Sequence, residues 1–181
     1  MVSKDNNGLY EVKDFWRSGE IQMTGKFNSL NPENKQGQFV YYHKGGALAQ
    51  IVNYKDNRST GKIKRFDTNG KFDFEYIPSI ESLDNADLFK KRIKELIYFA
   101  RTTISYPENE INREADGRVV VKFFVGDGGK VFKLTMAESA SREFDDEVKR
   151  AVLSFDKWST PIYKNQKTLV EVILTMTFEM R

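Results

Sequence analysis

A repeated turn pattern in the N-terminal half constrains the fold of this 181-residue chain most strongly. Five positions recur 24 residues further on: Gly37, Phe39, Tyr42, Gly46 and Leu48 match Gly61, Ile63, Phe66, Gly70 and Phe72. Each copy has an aromatic residue, three further residues, a glycine, one residue and an apolar residue. Glycine supplies the positive φ that a tight turn requires, and the flanking residues pack on one face of a sheet. The pattern therefore predicts antiparallel hairpins.

An earlier, partial copy of the pattern extends the repeat region toward the N-terminus. It consists of Val12, Phe15, Gly19 and Ile21, displaced by 27 residues from the second copy. We attribute the extra residues to a longer connection at Ser29–Lys35, which contains Pro32. With three copies, residues 9–76 are predicted to form about six short antiparallel strands.

The three copies resemble the MORN-like repeats of bacterial proteins. The matching segments are Phe15-Trp16-Arg17-Ser18-Gly19, Tyr42-His43-Lys44-Gly45-Gly46 and Phe66-Asp67-Thr68-Asn69-Gly70. A single unit of such a repeat cannot bury its apolar face without neighbours, so packing explains most of the pattern. The resemblance implies a scaffold or a protein-contact surface over residues 9–76 rather than a catalytic site.

From residue 81 onward the apolar residues follow a helical period. The first helix is predicted over Asp84–Thr102, with Asp84 and Asp87 at its start and Tyr106-Pro107 beyond its end. The second begins after Ser141, a candidate N-cap. Their apolar faces are formed by Phe89, Ile93, Leu96, Ile97 and Ala100, and by Phe144, Val148, Ala151, Val152 and Phe155.

Three strands are predicted around these helices. Arg118–Val125 and Lys130–Ala137 are rich in β-forming residues and flank a glycine-rich turn at 126–129, which predicts a hairpin. The last segment alternates apolar and mostly polar residues, with Val170, Val172, Leu174, Met176, Phe178 and Met180 on the apolar side. One face of this strand is therefore expected to be core and the other to be solvated.

The order helix, hairpin, helix, strand resembles the C-terminal domain of TonB energy-transducer proteins. The matching blocks are Tyr106-Pro107, Gly117-Arg118-Val119-Val120-Val121-Lys122-Phe123, Gly128-Gly129-Lys130-Val131, Phe144-Asp145-Asp146-Glu147-Val148-Lys149-Arg150-Ala151-Val152, Trp158 with Pro161, and Val170 to Phe178. The predicted fold class is α+β in two parts. Hairpin repeats over 9–76 precede a TonB-like domain over 82–181, in which two helices pack on a three-stranded antiparallel sheet.

The TonB resemblance implies a noncatalytic periplasmic domain that adds an extended peptide as a strand beside its last strand. The peptide would be the TonB box of an outer-membrane receptor or a similar segment of another envelope protein. The predicted peptide-binding edge consists of Thr168, Leu169, Val170, Glu171, Val172, Ile173, Leu174, Thr175, Met176, Thr177 and Phe178. Tyr106 and Pro107 are candidate partner contacts.

A structural or assembly module is the alternative function. In that case the repeat sheet and the last strand would serve only protein–protein contact, including a homodimer formed through the last strand. Energy transduction also needs a membrane anchor and a long spacer, and we expect neither within these 181 residues. Met1–Gly8 is polar and is not a signal peptide. We therefore expect a periplasmic chain whose leader or anchor lies outside it, or else a cytoplasmic one.

Composition excludes several other classes of function. The net charge of +3 is too small to predict a nucleic-acid partner. The longest apolar run, Leu96–Ala100, is far shorter than the ~20 residues of a membrane span. With no cysteine and His43 as the single histidine, we expect neither a metal site nor a catalytic site nor a cofactor. Trp16, Tyr41 and Tyr42 are interpreted as packing residues rather than a recognition surface.

Overall fold

The computed structural model of the protein describes residues 1–108 and 116–179. The chain forms two compact units, Met1–Pro78 and Ser79–Arg181. The first unit is all β, and the described residues of the second contain two α-helices and a sheet, so the predicted α+β class is confirmed.

The first unit is one antiparallel sheet of seven strands, in which each strand pairs with the next along the chain. The strands are β1 (Val2–Lys4), β2 (Tyr10–Phe15), β3 (Ile21–Leu30), β4 (Glu33–Tyr42), β5 (Leu48–Lys55), β6 (Arg58–Phe66) and β7 (Phe72–Tyr76). Six of them lie within 9–76, as predicted. The assignment of this sheet to MORN-like repeats stays a prediction.

The predicted glycine turns have the same hydrogen-bond pattern in every copy. The N–H of Trp16 donates to the Glu20 carbonyl at 2.8 Å, and the N–H of Gly19 donates to the Trp16 carbonyl at 2.9 Å. The turns at His43 and Asp67 repeat both bonds. Gly19, Gly46 and Gly70 have φ of +94°, +84° and +80°, a conformation that favours glycine.

The structure adds a further copy of this turn that the sequence pattern missed. Asp5 and Gly8 make the same pair of bonds, with φ of +82° at Gly8. Lys4 stands where the other copies have an aromatic residue, so the pattern was not recognised there. As a result β1 extends the sheet before the predicted repeat region.

The predicted long connection at Ser29–Lys35 is wrong. β3 continues to Leu30 and β4 starts at Glu33, so only Asn31 and Pro32 connect them. The extra residues between the first two copies instead lengthen β3 and β4. More of their backbone N–H and C=O groups are thereby paired in the sheet.

One face of this sheet carries a core cluster of Val12, Met23, Phe27 and Phe39, with Tyr10, Tyr41 and Tyr54 packed against it. Val12, Phe39 and Ile63 hold equivalent positions in the three copies, and all three are buried. Glycine at position 25 makes room for this cluster, because an added Cβ would collide with the Phe39 ring.

The second unit packs two helices with a three-stranded antiparallel sheet and a short hairpin. Its elements are α1 (Ala86–Thr103), β8 (Gly117–Val125), β9 (Val131–Glu138), α2 (Arg142–Ser154), β10 (Ile162–Tyr163), β11 (Gln166–Lys167) and β12 (Val170–Phe178). The sheet order is β12-β8-β9, and β10 and β11 form a separate two-stranded pair. α2 packs against β8 and β9, and α1 packs against α2. The predicted helices and three-stranded sheet are confirmed.

The helix starts differ in how they are capped. Ser141 caps α2 as predicted, accepting the N–H of Phe144 on its hydroxyl oxygen at 3.3 Å. At α1 the residue before the helix is Asn85, which makes no side-chain cap. Asn85 instead donates to the Thr160 carbonyl and accepts the N–H of Ile162. Thus Asn85 fixes the segment that leads into β10 rather than the start of its own helix.

Candidate functional site: an open strand edge and the groove beside it

β12 lies at one edge of the three-stranded sheet, and among the residues that the structure describes it pairs only with β8. The pairing runs without a register shift from Val170 opposite Val125 to Phe178 opposite Gly117. The other edge strand, β9, is less regular, because two register shifts interrupt its ladder and Lys133 has φ of +50°. Of the two edges, β12 is therefore the one suited to receive another extended chain.

The side chains of β12 alternate between core and solvent as the sequence predicted. Val170, Val172, Leu174 and Phe178 are buried, whereas Ile173 is 61% exposed. Met176 is half-buried, and Met180 lies outside the described residues. On the solvated face the Glu171 carboxylate pairs with the ammonium of Lys122 at 2.6 Å. This register fixes which side chains of β12 a paired peptide would meet.

Two residues of the predicted edge precede the strand. The N–H of Thr168 donates to the Pro161 carbonyl at 3.0 Å, and its side chain is buried. The Leu169 side chain lies close to Gly126, where an added Cβ would approach it to 2.7 Å. The regular edge therefore begins at Val170, because Thr168 has already used its backbone donor.

An open groove of about 670 Å³ lies between the end of α1 and the end of β12. It is lined by Ala100, Arg101, Ile104, Tyr106, Met176, Thr177, Phe178 and Glu179. The fold thus brings Tyr106 and the last strand, two separately predicted features, to one site. Arg101 and Glu179 place a cation and an anion at this groove, so its charge is balanced.

Tyr106 forms one wall of this groove. Its ring packs edge-on against Phe144, with ring centroids 5.3 Å apart, and against Phe178 at 6.1 Å. Phe144 and Phe178 themselves stack at 4.3 Å. Pro107 is half-buried and does not line the groove. Of the two candidate partner contacts, only Tyr106 therefore lines the groove.

Two charged residues of α2 hold the segment that leads to Tyr106. The Glu147 carboxylate accepts the N–H of Ser105 at 3.2 Å and a bond from Arg150 at 2.7 Å. Arg150 also donates to the Thr103 carbonyl at 2.7 Å. The Arg150 guanidinium lowers the pKa of the Glu147 carboxyl below its ordinary value, because it hydrogen-bonds the charged form. These residues position the groove wall, a role that no local pattern in the sequence indicated.

The consecutive acids at 145–147 near the start of α2 have a structural interpretation, because the helix dipole favours negative charge near a helix N-terminus. In the structure each acid has a different environment. Asp145 is buried and accepts a bond from the Ser139 hydroxyl at 2.7 Å, whereas Asp146 forms exposed ion pairs with Arg142 and Lys149. The three carboxylates do not converge on one point, which fits their structural interpretation.

Other residues that the sequence singled out lie elsewhere. His43 places Nε2 3.3 Å from the Phe66 carbonyl. Lys44 lies over the Trp16 ring at 5.6 Å, whereas Tyr41 belongs to the core cluster. Tyr41 also faces the hydroxyl of Tyr54, and burial together with this contact raises the pKa of Tyr54 to about 12. Trp16 and Tyr41 thus contact different partners.

Within residues 1–108 and 116–179, no group of three or more metal-ligating side chains is assembled. In the same residues, no helix combines the length and the apolar character that a membrane span requires.

Comparison with known families gives a match to part of the second unit. Residues 102–180 match the family model described as Gram-negative bacterial TonB protein C-terminal. Searches among curated proteins and among solved structures gave no match. The match covers the end of α1 through β12 and includes Tyr106, α2 and the whole three-stranded sheet. It supports the TonB C-terminal resemblance over these residues, and the family that this model describes consists of protein-interaction domains of the bacterial envelope rather than of enzymes.

Proposed function

We propose that the second unit is a noncatalytic peptide-binding domain that captures an extended segment of another envelope protein as a strand beside β12. The observation that carries this proposal is the uninterrupted, unpaired edge of β12, which ends at the groove containing Tyr106. The match of residues 102–180 to the TonB C-terminal family supports the same reading.

Strand addition divides affinity and selectivity between two kinds of contact. Backbone N–H and C=O groups of β12 that point away from β8 supply the hydrogen bonds, whatever the sequence of the peptide. Alternate peptide side chains then fall on opposite faces of the extended sheet. Those near the C-terminal end of β12 would reach the groove at Tyr106, and the others would lie over the face that carries Ile173. An apolar residue is therefore favoured at the groove.

The partner proposed for this edge is a TonB-box-like segment of an outer-membrane receptor, and the proposed location is the periplasm. In the first unit, the hairpin sheet is proposed to act as a MORN-like scaffold for protein contact. Its seven strands and repeated turns support a structural role. We propose no catalytic step for either unit.

A second copy of the chain is the alternative occupant of the edge. β12 is nine residues long, and an antiparallel pair of β12 strands would form a symmetric dimer. Sedimentation velocity across a range of protein concentrations distinguishes the two: a dimer that excludes peptide favours assembly, whereas a monomer that binds peptide favours capture.

The decisive experiment uses the full chain and a modified peptide rather than a modified protein. A receptor-derived extended peptide is titrated into ¹⁵N-labelled protein, and amide shifts are expected over Val170–Phe178 and around Tyr106. Two further peptides carry N-methyl groups on alternate backbone amides. One peptide is methylated at its odd-numbered residues and the other at its even-numbered residues. Since only one alternate set of peptide amides faces β12, one peptide should lose binding and the other should keep it. Equal binding by both would exclude strand addition.

A proline substitution tests the same edge from the protein side. Thr175→Pro removes a backbone donor in the middle of β12, so we expect it to abolish peptide binding. Thr175→Ala, which changes the same exposed side chain but keeps the backbone donor, is the matched control and should leave peptide binding intact. Amide spectra of both variants must first show that the rest of the fold is retained. Unaltered peptide binding by folded Thr175→Pro protein would contradict the assignment of β12 as the site.

A further inference from the structure

A second groove, of about 530 Å³, lies between α1 and the residues that follow α2. Three aromatic side chains form its apolar floor. The rings of Phe99 and Phe155 pack with centroids 5.9 Å apart, and Tyr98 is 72% exposed. None of the residues that line this groove also lines the groove beside β12. An aromatic side chain so exposed beside an apolar floor is typical of a contact surface.

The rim of this groove is cationic. Lys91, Lys94 and Lys157 line it together with two acids, Glu95 and Asp156. The Glu95 carboxylate is already bound by the Arg92 guanidinium at 2.6 Å, so its charge is largely matched within the helix. Lys91 approaches Glu95 only to 4.0 Å. Lys157 also acts electrostatically on Glu95, and among the ion pairs of the described residues none involves Lys94, Lys157 or Asp156. With three lysines against two acids, the rim retains one net positive charge that a ligand could neutralise.

We infer that this groove docks an acidic segment of a protein partner, in which carboxylates flank an aliphatic or aromatic side chain. The apolar side chain would cover Phe99 and Phe155 beside Tyr98, removing apolar surface from water. The flanking carboxylates would pair with Lys94 and Lys157, which steers the encounter and selects an acidic partner. The groove is separate from the β12 edge, so this inference does not depend on the proposed strand addition.

A synthetic acidic peptide tests the inference on the full chain. The probe has a central leucine and tryptophan flanked by aspartates and glutamates, and a control peptide carries lysines in place of the acids. We expect the acidic probe to shift amides of Lys91, Lys94, Tyr98 and Lys157 while leaving Val170–Phe178 unchanged. Its affinity should fall steeply as ionic strength rises from about 0.05 M to about 0.5 M, because salt screens the rim charges.

Charge-reversal variants identify the residues that bind the probe. Lys94→Glu and Lys157→Glu should each lower the affinity for the acidic peptide by on the order of tenfold, since each places a like charge opposite a peptide carboxylate. Lys90→Glu, an exposed lysine of the same helix outside the groove, should change the affinity by less than about twofold at moderate salt. Tyr98→Ala should weaken binding at every salt concentration, because it removes apolar contact. All four side chains are exposed, so the fold is retained.

Four outcomes would overturn the inference. They are equal binding of the lysine control peptide, equal loss of affinity in Lys90→Glu and Lys94→Glu, and amide shifts confined to β12. In the fourth, the acidic peptide does not bind, and the amides of the groove residues become protected instead when vesicles of anionic phospholipid are added or when the chain self-associates. That result would assign the same surface to a membrane or to a second copy.

Discussion

At the scale of single residues, Gly25 is the position where the N-terminal sheet leaves room for the Phe39 ring. We expect Gly25→Ala to lower the free energy of unfolding by about 1–3 kcal/mol, because the added methyl overpacks a buried ring. Phe39→Leu removes the obstructing ring atoms, so the double variant should lose less stability than the sum of the single variants. Urea unfolding of all three variants measures the coupling. Simple additivity would show that the two side chains do not compete for space.

Glu147 gives a pH-dependent prediction at the same scale. Its folded-state pKa is lowered by Arg150 and by the N–H of Ser105, so its stabilising contribution is present above the unfolded pKa and is lost as pH falls through the folded pKa. We expect acidification below about pH 4.5 to loosen residues 103–106, with a loss of less than about 1 kcal/mol. Amide shifts of Ser105 and ring shifts of Tyr106 report the change.

Substitution of Glu147 separates this contact from general acid effects. Glu147→Gln should reproduce the loosened Tyr106 signals at neutral pH and remove their pH dependence. Asp146→Asn, on the exposed face of the same helix, should leave both unchanged because Asp146 forms its ion pairs with Arg142 and Lys149 of the same helix. An unaltered titration of the Tyr106 ring in Glu147→Gln would show that another group controls the groove wall.

At the scale of elements, the register of β12 decides what each of its residues contributes. Leu174 is 3% exposed and its neighbour Ile173 is 61% exposed. We expect Leu174→Ala to destabilise the unit by about 2–5 kcal/mol through loss of packing, and Ile173→Ala by less than about 1 kcal/mol. Chemical unfolding of both variants measures the difference. Similar losses would mean that the strand is shifted by one residue, which would exchange its two faces.

The prediction of elements from the sequence succeeded where a local period was strong. The alternation from Val170 to Phe178 and the helical spacing from Phe144 to Phe155 each specified an element and its buried face. The short hairpin of β10 and β11 was not predicted, because two-residue strands are too short to show a period. Its turn has positive φ at both Lys164 and Asn165. Neither residue is a glycine, so the sequence lacked the usual signal for such a turn.

At the scale of the whole molecule, each compact unit has a core of its own. In the second unit Phe89, Phe123 and Trp158 pack together, with the Trp158 ring 6.0 Å from Phe89 and 5.8 Å from Phe123. We therefore expect residues 79–181, produced alone, to fold cooperatively and to reproduce the amide shifts of β8 and β12 in the full chain. Two-dimensional ¹⁵N spectra and a thermal transition measure this. A collapsed spectrum for the shortened chain would contradict it.

The sequence by itself determined the type of most elements, the side of each that is buried and the turns at Gly19, Gly46 and Gly70. These follow from spacing within a few residues, where backbone geometry and burial act directly. Only the tertiary structure decided that β12 is a regular edge, that Tyr106 meets it in one groove and that Tyr98 and Phe155 share another. Ser105 and Glu147, like Thr103 and Arg150, lie more than 40 positions apart, so their contacts leave no local period in the sequence. Such contacts depend on how the elements pack, and spacing along the chain does not encode that arrangement.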